Sequence, residues 1–181
     1  MDTLDDVIAY FYLHSKCRVC LSTIRISNLI YLSDWKSYLT YRESITGIPW
    51  TYGDNGPESD EIFEAILTFR NNNPFCVIDP AVMRTVDESK ICKYFLSDKV
   101  EKILEHIRDY TNKRFNYGDL SGLVNATYPM LSRPRGVILD MANIVEEYIE
   151  FAKRREHTTG KKHWLVRQEE ERALAKRSVY L

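Results

Sequence analysis

The sequence predicts a predominantly helical α+β protein: a compact helical domain over residues 1–150 with a small antiparallel sheet, then a charged C-terminal extension over 151–181. Three observations carry this. Apolar residues recur at helical spacing through most of the chain. A Pro/Gly-rich aromatic stretch, Thr46-Gly47-Ile48-Pro49-Trp50-Thr51-Tyr52, breaks that pattern and reads as a turn followed by a short strand. Beyond Phe151 the composition turns basic and the apolar stripe thins out.

Val7, Ile8, Phe11 and Tyr12 predict a short first helix over Asp5–Leu13. Ser22-Thr23 supplies a cap for a second helix running to about Thr40. Its Ile26, Leu29, Ile30 and then Leu32, Trp35, Leu39 fall on two adjoining faces, so it is expected to be buried on most sides. After the 46–52 stretch, Gly56-Pro57 is read as opening a third helix that ends near Asn71. Pro57 would take its first position, where a missing N–H costs nothing. Glu58, Asp60 and Glu61 would complement its positive end, and Ile62, Phe63, Ile66 and Leu67 would face inward.

Phe75–Ile78 and Val82–Val86 flank Asp79-Pro80-Ala81 and suggest a hairpin or two short strands. Ser97-Asp98 caps a strongly periodic helix carrying Val100, Ile103, Leu104, Ile107 and Tyr110. Tyr117–Tyr128 is expected to be a helix stopped by Pro129, and Ser132–Gly136 a loop with two exposed cations. From Val137 the sequence reads as helical again, through Ile138, Met141, Ile144, Val145, Tyr148 and Ile149.

At 181 residues the chain is long enough for a substantial core. No run of about 18 apolar residues is present, so a membrane span is not expected. The acidic start, Met1-Asp2-Thr3-Leu4-Asp5-Asp6, lacks the basic opening of a secretory signal, and the expectation is cytoplasmic. The net charge of −1 conceals a split of about −6 over the first 150 residues and +5 over 151–181. An acidic body disfavours nonspecific nucleic-acid binding through the main domain.

No Ser-His-Asp, HExxH, Walker or GxGxxG pattern occurs, so no enzyme activity and no cofactor is expected. His14-x-x-Cys17-x-x-Cys20 invites a zinc reading, with Cys76, Cys92 or His106 as a fourth ligand. No second Cys-x-x-Cys pair supports it, and free thiols on apolar surfaces are the simpler account. Asp34, inside an apolar helix, is read as a buried acid accepting bonds from an Arg, a Tyr or the backbone. Tyr31 and Trp35 are read as core. Trp50 and Tyr52 are read either as core around the sheet or as an aromatic recognition surface.

The order of these devices resembles the Panacea domain, found in many antitoxins of bacterial and phage toxin–antitoxin pairs. The residues concerned are Asn28-Leu29-Ile30-Tyr31-Leu32-Ser33-Asp34, Ile45-Thr46-Gly47, Trp50-Thr51-Tyr52 and Gly56-Pro57. Asp119–Asn125 through Thr127-Tyr128-Pro129 adds a late helix ending in a proline. The resemblance covers roughly residues 4 to 150. Gly53-Asp54-Asn55 stands between Tyr52 and Gly56-Pro57, and Met130 stands where an aromatic often follows the proline.

The resemblance implies an antitoxin-like protein that neutralises a cognate protein toxin by direct contact. The expected partner-binding residues are Trp50, Tyr52, Gly56 and Pro57 at the strand–helix junction, Arg133 and Arg135 in the late loop, and Trp164 and Arg167 in the extension. Two other readings stay open: a phage-encoded inhibitor or adaptor of a host protein, and a nucleic-acid-binding regulator using the basic extension.

Overall fold

The computed structural model describes residues 3–15, 21–74, 93–112 and 117–159. Among them are seven helices and one two-stranded antiparallel sheet, so the chain is predominantly helical α+β. The chain divides into two compact units, residues 1–139 and 140–181.

In the first unit, α1 (Leu4–His14) begins at a reciprocal capping box in which Thr3 and Asp6 each accept from the other's backbone. Helix α2 (Thr23–Tyr41) starts at Ser22, whose hydroxyl accepts the Arg25 N–H at 3.2 Å. It ends at Arg42, in the left-handed region at φ 65°, whose guanidinium returns to the Tyr38 and Leu39 carbonyls at 2.7 Å each. A cation over the negative end of a helix satisfies carbonyls that have no intrahelical partner.

Helix α2 is the hub. It packs against α1, against α3 (Asp60–Asn72), against α4 (Asp98–Asn112) and against α5 (Tyr117–Asn125). Its Ile26, Ile30, Tyr31 and Asp34 are wholly buried, alongside Ile8, Ile62, Ile66 and Leu104 from its neighbours. Each such aliphatic side chain contributes about 1.5–3 kcal/mol of transfer free energy. The helix is therefore enclosed on most sides, as its two apolar faces predict. On α3, Ile62, Ile66 and Phe69 face inward, whereas Leu67 points to solvent.

Strands β1 (Thr51–Gly53) and β2 (Gly56–Glu58) form a hairpin with Tyr52 opposite Pro57. Gly56-Pro57 thus lies in a strand, and α3 begins three residues after Pro57, at Asp60. The left-handed backbone at the turn falls on Gly56 (φ 122°), where a side chain would be strained. A third extended segment, Gly136–Leu139, runs along the other side of β1 through an antiparallel pairing of Thr51 with Ile138. Val137 and Ile138 are consequently extended rather than helical. Pro129 likewise does not stop a helix: it lies in the first turn of the short α6 (Tyr128–Ser132), where proline's fixed φ is favourable.

In the second unit, α7 (Met141–Thr159) is one continuous helix running across residue 150. Asp140 caps it, accepting the Asn143 N–H at 3.1 Å through Oδ1. The hairpin expected over Phe75–Val86 lies outside the described residues. No helix among those described is long and apolar enough to cross a membrane.

Candidate partner-binding surface

The hairpin is placed by a buried carboxylate. Asp34 is completely enclosed, and its two oxygens accept five hydrogen bonds. Oδ1 takes the Ser44 hydroxyl at 3.0 Å and the N–H groups of Ile45 and Thr46 at 2.8 and 3.1 Å. Oδ2 takes the Thr46 hydroxyl at 2.6 Å and the Trp50 indole N–H at 2.9 Å. Hydrogen bonds to an ionised acceptor are the strong class, and five of them replace the water the carboxylate lost.

The anchored loop turns at Gly47, which adopts φ 71° and donates its N–H to the Ser44 hydroxyl at 2.7 Å. It then delivers Trp50 into the core edge-on to Tyr31, with ring centroids 5.4 Å apart. Burial holds the Tyr31 phenol well above the usual tyrosine range, and its hydroxyl pairs with that of Thr127 at 2.8 Å. The backbone donors expected for Asp34 are present. In place of an Arg or Tyr, two hydroxyls and an indole complete the set.

Trp50 is therefore a core residue, only 1 % exposed, and not part of a recognition surface. Gly56 and Pro57 are buried as well. What the hairpin shows to solvent is different. Tyr52 is half-buried, and the Arg135 guanidinium lies 5.9 Å from its ring centroid. Arg135 also reaches Asp54 at 3.6 Å, a loose pair between exposed side chains that is worth little in water. Arg133 is half-buried and donates to the Ser132 carbonyl at 3.2 Å.

Nearby in sequence, Leu131 and Ile138 are 72 % and 70 % exposed. The structure thus brings Tyr52 and Arg135 together, adds Asp54, and keeps Trp50 in the core. Trp164 and Arg167 lie outside the described residues. The apolar neighbours of Ile138 continue a helical period. Its pairing partner, Thr51, is 87 positions away, so no local signal marks it as a strand.

A second polar assembly joins α1 to α4, around a cleft of about 320 Å³ lined by Tyr10, His14, Asp98, Glu101, Lys102, Glu105 and Arg108. The Tyr94 hydroxyl donates to Glu101 at 3.1 Å and lies 2.8 Å from His14 Nε2. A hydroxyl has one proton, so with that proton on the carboxylate, Nε2 of His14 is the donor to Tyr94. Arg108 donates to the Tyr10 hydroxyl at 3.1 Å and pairs with Glu105 and Asp109. Burial pushes the Tyr10 phenol up to about 12, with Arg108 opposing the shift. Both signs of charge here are largely spent on one another, which suits a structural clasp.

Cys17, Cys20, Cys76 and Cys92 lie outside the described residues. Among those described, no group of three or more His, Cys, Asp or Glu side chains is arranged to hold a metal ion. Compared with protein-family models, with curated proteins and with solved structures, the chain gives no match.

Proposed function

We propose that this protein is an antitoxin-like binding protein, which neutralises a protein toxin by covering it with the exposed surface formed by the β1–β2 hairpin and the loop that follows α6. The observation that carries this reading is the composition of that surface. An arginine is held over a tyrosine ring on a hairpin seated by Asp34, and two large aliphatic side chains, Leu131 and Ile138, are exposed in the flanking chain, Ile138 on the opposite sheet face from Tyr52. Tyrosine and arginine are the residues that most often anchor interfaces, and a fixed backbone lowers the ordering cost of association. The mechanism is steric: the face blocks its partner and performs no reaction on it.

Co-expression with the product of the adjacent open reading frame tests the reading. The expected result is growth arrest by the neighbour alone, relief by this chain, and co-purification of the two. A harmless neighbour that forms no complex would overturn the toxin assignment and favour a host protein as target. Within a complex, Arg135→Ala and Ile138→Glu are each expected to weaken affinity by about tenfold or more, the scale of a contact worth at least 1.4 kcal/mol.

A further inference from the structure

The bonds that fasten Gly136–Leu139 to β1 leave one residue facing outward. Tyr52 N–H donates to the Val137 carbonyl at 3.0 Å, and Leu139 N–H donates to the Trp50 carbonyl at 2.7 Å. These bonds flank the Thr51–Ile138 pair and none lies within it, which defines a non-hydrogen-bonded antiparallel pair. In that geometry the N–H and C=O of Ile138 point away from β1. Both groups sit on a residue that is 70 % exposed, and its side chain shares the outer face of the sheet with Thr51 and Glu58.

We propose that this edge receives an extended strand of the partner protein, which adds to the sheet through ladder bonds to the Ile138 N–H and C=O. Resting on the binding reading above, it specifies the mode of contact. An open edge is a template for strand addition unless charge or bulk blunts it, and here an isoleucine stands at the open position. The side chain that lands beside Ile138 on the outer face is apolar and β-branched, because such cross-strand pairs contribute most. Arg135, three residues earlier and held only loosely by Asp54, favours a carboxylate toward that end of the incoming strand. Pro134 and the left-handed Gly136 (φ 84°) keep the edge short, so the strand contributes one pair of ladder bonds and the flanking side chains supply the rest.

The test uses the isotope-labelled full chain and a synthetic peptide, acetyl-Thr-Val-Thr-Val-Thr-Val-Glu-amide, at millimolar concentration. The expected result is a downfield shift of the Ile138 amide proton and exchange with solvent slowed by about tenfold, the scale of one or two net hydrogen bonds. Ile138→Val should keep the effect. Ile138→Glu, or a peptide with N-methylated valines, should abolish it. Shifts confined to other residues, or unchanged exchange at Ile138, would overturn strand addition. The two readings fail separately. A co-purified complex in which the Ile138 amide still exchanges fast removes this mode and leaves binding intact. Peptide protection of Ile138 without any complex removes the toxin assignment and leaves the edge.

Discussion

Asp34 holds the loop that leads into the hairpin of the proposed binding face. Replacing it with alanine strips one buried and four part-buried donors of their acceptor, at about 1–3 kcal/mol for each that finds no water. The expected loss is on the order of 4 kcal/mol, since some of the five donors will relax toward solvent. Asp34→Asn keeps the shape but turns an NH₂ against the Thr46 hydroxyl or the Trp50 indole, and should cost about 2 kcal/mol. Urea unfolding followed through tryptophan fluorescence measures both, and equal stability of the two variants would show that the acceptor count is irrelevant. Tyr10 makes a prediction in pH. Its phenol titrates near 10 in the unfolded chain and at about 12 in the folded one, so the folded state binds the proton more tightly. The resulting stability is complete below pH 10 and is lost as pH rises through 12. Tyr12, Tyr31, Tyr94 and Tyr148 are shifted in the same direction, chiefly by burial. Tyr10→Phe should therefore flatten, without abolishing, the alkaline fall in unfolding free energy. An unchanged slope between pH 10 and 12 would refute the assignment.

At the scale of elements, the hairpin depends on a backbone that a side chain disfavours. Gly56→Ala places a Cβ at φ 122°, although the space itself is open, with Val124 Cγ1 at an ordinary 3.7 Å. The cost is thus conformational strain, expected at about 1–3 kcal/mol and readable as a lower urea midpoint with an unchanged slope. Asp140→Ala, which removes the cap of α7, should cost about 1 kcal/mol by the same measurement. These two elements also mark where the sequence stops being legible. Helices α1, α2 and α4 fall within a residue or two of their expected positions, because caps such as Ser22 and apolar periods such as Val100-Ile103-Leu104-Ile107 act locally. Pro57 and Val137-Ile138 carry a helical signature in the sequence, because their neighbours have helical spacing and acidic first-turn residues. Their true state is set by Tyr52 and Thr51, and cross-strand pairing leaves no periodic trace in a segment of three residues. Trp50 was equally ambiguous: a strand tryptophan reads the same in either orientation, and only its bond to Asp34, sixteen positions away, turns it inward.

For the molecule as a whole, charge is divided as sharply as structure. The first 150 residues carry about −6 and the remainder +5, while the exposed cation Arg135 and the half-buried Arg133 sit on the proposed binding face of the acidic part. A basic segment tethered to a binding domain can act in two ways that kinetics separates. If it steers, it raises the association rate through long-range attraction and loses that influence as salt shortens the screening length from about 10 Å at 0.1 M to about 3 Å at 1 M. If it wraps the partner, it slows dissociation at every ionic strength, because its contacts are desolvated and close. We expect steering. Removing residues 160–181 deletes six Lys/Arg and three Glu, a change of −3 in net charge. The truncated chain should then keep its unfolding midpoint, associate several-fold more slowly at 50 mM salt, and match the full chain at 1 M, with the dissociation rate unchanged throughout. Faster dissociation at both salt concentrations would identify wrapping instead. Identical kinetics for the two chains would remove the extension from the binding mechanism and leave the hairpin face to account for the whole affinity.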